Sequence, residues 1–147
     1  MTERTVLQSI SKRTVITVSA QATAFEAAGI MTKARCGSVL IVDAAGALLG
    51  IFTERDLMTK VVAKALAPDR TPVSEVMTPS PQVVAPETSV SDAVLLMKEC
   101  GFRHLPILSP DAKIVGVFSL RDATPREIID ADTVAEHLDR EFTNIPL

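Results

Sequence analysis

Tryptophan and tyrosine are absent, and aromatic residues make up only 3% of the 147-residue chain. That removes the stacking platforms on which single-stranded nucleic acid is usually held. Positive charge is also short: 15 Lys and Arg stand against 18 Asp and Glu, a net charge of −3, so the chain lacks the field that non-specific nucleic-acid binding needs. Nucleic acid is therefore not an expected partner. No apolar run approaches the roughly 20 residues that span a bilayer, and the N-terminus lacks an apolar stretch behind a basic flank, so a soluble, cytoplasmic protein without membrane contact is expected. Cysteine is limited to Cys36 and Cys100 and histidine to His104 and His137. Neither pair has zinc-ligand spacing, no metal is expected, and in a reducing compartment both thiols stay free, Cys most simply serving as a small buried apolar residue. No nucleophile elbow, Walker loop, H-E-x-x-H or G-x-G-x-x-G string is present, so the sequence offers no catalytic constellation and no enzyme is expected.

What is present is apolar content, 47% of residues, enough for one compact unit or for two small halves sharing a core. The chain also repeats itself. A shift of 66 positions aligns, without gaps, Val18 with Val84, Ala27 with Ala93, Met31 with Met97, Ile41 with Ile107, Gly50 with Gly116, Phe52 with Phe118, Arg55 with Arg121 and Asp56 with Asp122. Punctuation repeats too: Thr23 to Glu26 and Ser89 to Asp92 both read as capping boxes that open a helix.

Each copy reads as β-α-β-β-α. A short extended stretch, Val15 to Val18 or Gln82 to Val84, leads to a helix with small and apolar residues at helical spacing, such as Ala24, Ala27 and Met31, or Val90, Ala93 and Met97. Two strands follow as a hairpin around Asp43 to Ala47 or Ser109 to Lys113, and a second helix opens at Thr53 or Ser119. Between copies, Pro68, Pro72, Pro79 and Pro81 forbid a continuous helix. The expected division is residues 1–69 as N-terminal segment and first repeat, 70–132 as second repeat, and 133–147 as C-terminal helix and tail. The fold class is α+β, with the two repeats packing their sheets about a pseudo-twofold axis, because about 60 residues bury too little surface alone. The interface between them is the expected cleft.

The distinctive string is G-I-F-T-E-R-D at Gly50 to Asp56 and G-V-F-S-L-R-D at Gly116 to Asp122. Glycine lets the strand approach a ligand or a neighbouring backbone, and Thr53 or Ser119 falls at a helix N-cap, where free amides and the helix dipole favour phosphate. Asp56 and Asp122 lie one turn on, placed to accept from a ribose diol. The same strings are capping boxes that would stabilise a helix start without any ligand. Repetition at symmetric positions favours the ligand site, and the two roles coexist. As a general acid and base the two aspartates would need to face one substrate, whereas they belong to separate symmetric sites.

The repeat length, the β-α-β-β-α order and the G-h-h-T/S-x-x-D string resemble cystathionine-beta-synthase (CBS) domains, and V-M-T-P at Val76 to Pro79 resembles the way such a repeat often begins. The resemblance covers about residues 9 to 130. It implies a Bateman module, a pair of repeats that regulates without catalysing, that binds adenine nucleotide (AMP, ADP or ATP) in the cleft between the repeats, and that forms homodimers. By resemblance Asp122 and Ser119, and Asp56 and Thr53, contact ribose and phosphate. Thr78, Val83 and Val84 hold the base in the second repeat, with Lys12, Ile16 and Thr17 in the corresponding part of the first. Arg103 and His104 fall where the family places phosphate-facing basic residues; the first repeat has Gly37 and Ser38 instead, so the clefts are electrostatically unequal. Arg55 and Arg121 add positive charge beside each motif, although an arginine in a first helical turn is more often solvated.

Two other readings use the same residues. One is a protein-interaction or redox-regulatory scaffold with weak or no nucleotide binding, to which the tail contributes Ile128, Val134, Leu138 and Phe142 at roughly helical spacing amid Asp130, Asp132, Glu136 and Asp139. The simpler expectation for that stripe is packing on its own module or on a second copy. The other is S-adenosylmethionine or NAD in the same clefts. In each case the regulated target is expected to be a separate effector protein.

Overall fold

A computed structural model describes residues 3–10 and 15–143 of the chain. The described helices are α1 (Val6–Ser9), α2 (Ala24–Ala34), α3 (Glu54–Asp56), α4 (Val73–Val76), α5 (Val90–Cys100) and α6 (Pro125–Thr143). The strands are β1 (Thr17–Ser19), β2 (Ser38–Val42), β3 (Leu48–Thr53), β4 (Thr78–Pro79), β5 (His104–Leu108) and β6 (Ile114–Ser119). A π-helical stretch, Leu57–Val62, continues α3, and 3-10 turns occupy Pro68–Arg70 and Leu120–Asp122. The architecture is α+β with the two expected repeats.

Local signals account for the boundaries. Thr23 and Glu26 close a reciprocal capping box at the start of α2, and Ser89 accepts from the Asp92 amide at the start of α5. Both helices end in the left-handed region, at Arg35 (φ 55°) and Gly101 (φ 76°), where Cys36 and Phe102 donate back to the carbonyls of Met31 and Met97. Asp43 builds the first hairpin turn by accepting from the amides of Ala45 and Ala47.

The first repeat carries a four-stranded sheet in the order β1-β2-β3-β4: β1 parallel to β2, β2 antiparallel to β3, β4 antiparallel to β3. Pro79 is tolerated because β4 is an edge strand with no further ladder to donate to. Ala24, Ala27, Met31, Val39, Ile41, Phe52, Val61, Val73 and Val76 form its core. In the second repeat β5 and β6 form a two-stranded sheet, and Val84 bridges Ile107 in parallel. That bridge repeats the Val18 to Ile41 pairing of the first repeat at the same 66-residue offset. Its core holds Val6, Val90, Ala93, Val94, Met97, Leu105, Ile107, Phe118 and Ala131.

The compact units cut across the division drawn from the sequence. One unit gathers Thr14–Gln82 with Ala112–Ile114; the other gathers Met1–Arg13, Val83–Asp111 and Val115–Leu147. The described part of the N-terminal segment therefore belongs with the second repeat, and residues 70–82 with the first. Backbone hydrogen bonds show why. Val6 N donates to Thr88 O at 2.8 Å and Val90 N to Arg4 O at 2.9 Å; in the other unit Val73 N donates to Ala22 O at 2.7 Å and Ala24 N to Thr71 O at 2.9 Å. The segment preceding each repeat in sequence thus completes the other repeat, with fully buried Val6 and Val73 as anchors.

Two further differences concern helices. The second helix of the second repeat does not run on from Ser119: a 3-10 turn ends at Asp122 and α6 restarts at Pro125, because proline has no amide to donate and disfavours helix in the residue before it. Helix α6 then continues unbroken across residue 132, where the tail was expected to begin. Of the expected tail stripe, Ile128 packs on the second-repeat core, Val134 and Leu138 are exposed, and the side chains of Asp139 and Phe142 lie outside the described residues. Lys98 of α5 and Asp132 of α6 form an ion pair that ties the two helices together.

Candidate functional site

Both copies of the repeated string form a strand that runs into a capped turn; the helix that the sequence predicts there follows directly only in the first. In the first, Thr53 ends β3 and caps α3: Asp56 N donates to Thr53 Oγ1 at 3.2 Å and Thr53 N to Asp56 Oδ2 at 3.0 Å. In the second, Ser119 N donates to Asp122 Oδ2 at 2.8 Å and Arg121 N to Ser119 Oγ at 3.4 Å. A backbone bond anchors each junction to the preceding strand region, Glu54 N to Gly37 O at 3.0 Å and Leu120 N to Arg103 O at 3.1 Å. Arg103 is thereby held beside the second motif, exposed, with half-buried His104 opening β5.

The carboxylates differ. Asp56 is 5% exposed and also accepts from Thr78 Oγ1 at 3.1 Å and from Lys60 Nζ at 3.1 Å. Lys60 lies one turn further along the π-helical stretch and also donates to Met77 O at 3.3 Å and Thr78 Oγ1 at 3.4 Å. Asp122 is half-buried, and its backbone carbonyl accepts from Arg4 Nη2 at 2.9 Å. Arg4 also pairs with Glu127 at 2.7 Å, and Glu127 closes the start of α6 by accepting from Thr124 N at 2.8 Å. The Arg4 hydrogen bond, helped by the Thr124 amide and hydroxyl, outweighs burial and holds the Glu127 carboxyl down at about 2, against an ordinary 4.5.

The structure redistributes some expected site residues. Thr78 was assigned to the second repeat but sits in the first, paired with Ile51 in the sheet and bonded to Asp56, because β4 folds back onto β3. The motif glycine serves a neighbouring segment: a Cβ on Gly50 would lie 2.5 Å from Met77 Sδ and 2.8 Å from the Thr78 carbonyl, and one on Gly116 would lie 2.7 Å from Ile10 Cδ1. Val84 is in the second-repeat core beside β5, with Val83 half-buried next to it. Ile16 and Thr17 lie along β2 in the first repeat, where the Ile16 carbonyl accepts from Leu40 N at 3.0 Å. Lys12 lies outside the described residues. Arg55 and Arg121 are exposed in the first turn of each junction. Lys60 was missed; its i,i+4 spacing from Asp56 was the available signal.

No helix among the described residues is long and apolar enough to cross a membrane, and none of their His, Cys, Asp and Glu side chains cluster in threes suited to a metal.

Duplicated β-α-β-β-α units, each with a strand running into a capped turn that carries an aspartate, define a tandem-repeat module. The chain belongs to the CBS-domain family: CBS domains match residues 7–63 and 73–125. It is a CBS pair, a regulatory module. It is 35% identical over 129 residues to an uncharacterized protein of Methanopyrus kandleri, covering 88% of this chain and 66% of that one, just under two thirds of its length. Among solved structures, a candidate signal-transduction protein with CBS domains from Burkholderia ambifaria is 34% identical, with a TM-score of 0.73 over 80% of this chain and 86% of that chain. A CBS domain protein from Pyrobaculum aerophilum complexed with AMP shares the fold at 23% identity, with a TM-score of 0.78 over 88% of this chain and 99% of that one.

Proposed function

We propose that this CBS pair is a sensor of adenine nucleotide, AMP, ADP or ATP, bound at the second-repeat junction. The observation that carries the reading is the backbone hydrogen bond from Leu120 N to Arg103 O, which ties the backbone of the exposed Arg103 to the start of the Ser119–Asp122 turn. On this reading the half-buried Asp122 takes the ribose diol and Arg103 the phosphate, with His104 next in line and Arg121 within the turn. Val83 and Val84 supply the apolar side for the base. The AMP complex of the Pyrobaculum protein supports adenosine as the ligand class. Homodimerisation, a cytoplasmic location and a signal passed to a separate effector protein complete the reading; the signal is a shift in the population of packed states.

Isothermal titration calorimetry with AMP, ADP, ATP, S-adenosylmethionine and NAD, on wild type and Asp122→Ala, tests it. Saturable heat with one of the three adenine nucleotides, lost in the variant, is expected. Heat with S-adenosylmethionine or NAD alone would reassign the ligand, and flat traces for all five would overturn the sensor reading.

A second reading has its own observation. Helix α6 exposes Val134 and Leu138 one turn apart on one face, an apolar pair suited to a protein contact. Under it the pair is an interaction scaffold. Loss of association on Val134→Asp, with no nucleotide bound, would favour it.

A further inference from the structure

We propose that Lys60 is an internal cation that closes the first-repeat copy of the motif, so that each chain takes a single adenine nucleotide, at the second repeat. The inference rests on the nucleotide reading above. A ribose diol is recognised when its hydroxyls donate to a carboxylate, which offers about four lone-pair positions. At Asp56 those positions are taken from within the chain, by Thr53 N, Thr53 Oγ1, Thr78 Oγ1 and Lys60 Nζ, all within 3.0 to 3.1 Å.

The ammonium is equally committed. A lysine carries three donors, and Asp56 Oδ1, Met77 O and Thr78 Oγ1 provide three acceptors. The acceptors at 77 and 78 are fixed by the backbone, since β4 is paired to β3 and Gly50 leaves that segment no slack. A nucleotide entering here would have to displace Lys60, whose side chain is 40% exposed, from the buried Asp56 carboxylate before making its first contact, and stripping the lysine away would leave that buried charge uncompensated.

Chain path explains why the second repeat is not closed in the same way. Lys60 reaches Asp56 because helical backbone continues from α3 through Val62, placing the two at i,i+4. The residue 66 positions on from Lys60 is Arg126, and the helix is interrupted between Asp122 and Pro125, so that spacing no longer puts the cation over the carboxylate. The break at Pro125 separates the two repeats functionally.

The test is AMP titration calorimetry of the full chain as wild type, Asp122→Asn and Lys60→Met, which keeps the apolar stem and removes the ammonium. Wild type is expected to bind one AMP per chain and Asp122→Asn none, while Lys60→Met gains a second, weaker equivalent. Two equivalents in wild type would overturn the closure, and so would a tenfold loss of AMP affinity in Lys60→Met, which would make Lys60 a ligand contact. If no variant binds AMP, ADP or ATP, the sensor reading fails and the closure is decided separately by urea unfolding of Asp56→Asn, Lys60→Met and the double variant. Non-additivity of roughly fivefold or more in the folding constant is expected for a coupled pair; additive effects would overturn it.

Discussion

The two repeats share a register but spend the same seven-residue string differently. In the first, the motif carboxylate is buried and used up by Thr53, Thr78 and Lys60. In the second, it is half-buried, and the N-terminal segment reaches the junction through Arg4, which bonds the Asp122 carbonyl and Glu127 rather than the carboxylate. Duplication preserved the backbone device, a strand ending in a capped turn, while the surrounding side chains turned one copy into a structural tie and left the other with a carboxylate partly facing solvent. A shared motif therefore predicts a shared geometry more securely than a shared role.

The comparison breaks most visibly at the aspartates. Asp56→Ala removes a helix cap and leaves Lys60 and Thr78 short of a buried acceptor, so a loss of about 3 kcal/mol is expected, against about 1 kcal/mol for Asp122→Ala, where chiefly a cap is lost. Urea unfolding followed by circular dichroism reads both, since the chain has no tryptophan or tyrosine to report by fluorescence. Equal losses would remove the distinction. The glycines come next. Gly50→Ala drives a methyl against the Thr78 backbone carbonyl, which cannot swing aside, whereas Gly116→Ala meets only the end of the Ile10 side chain. About 2 kcal/mol is expected for the first and under about 1 kcal/mol for the second by the same measurement; the reverse order would mean that β4 yields more readily than Ile10.

Much of this was legible because the signals are local. The capping boxes at Thr23 and Thr53, the Asp43 turn and the 66-residue register each depend on residues a few positions apart, and each lies where the pattern places it. What escaped depends on non-local packing. V-L-Q-S-I at 6–10 and V-S-E-V-M at 73–77 are related by an offset of 67 rather than 66, and nothing in either string says which repeat it will complete. That exchange moved Thr78 to Asp56 and hid the role of Lys60, whose partner was read as a ligand contact. Pro125 was a readable helix break, but the capping box at Ser119 competes with it, and both operate: the box opens a turn and the proline restarts the helix.

The finest difference between the repeats is one of pH. Glu127 has no Asp56-like burial, yet Arg4 lowers its carboxyl to about 2 in the folded chain. A depressed carboxyl contributes stability that is present above its unfolded value, near 4.5, and is lost as pH falls through its folded value. With the side chain of Arg4 41% exposed, solvent screening holds that contribution to about 1 kcal/mol at neutral pH. Arg4→Ala should therefore be less stable than wild type at pH 7 by about that amount, and the gap should narrow as pH falls from about 4.5 towards 2, as measured by urea midpoints across the range. The bond from Arg4 to the Asp122 carbonyl does not titrate, so a small residual gap should persist at the acid end. A gap constant from pH 7 to pH 3 would assign the effect of Arg4 to that carbonyl alone, making the tie to the second motif a matter of backbone geometry and not of charge.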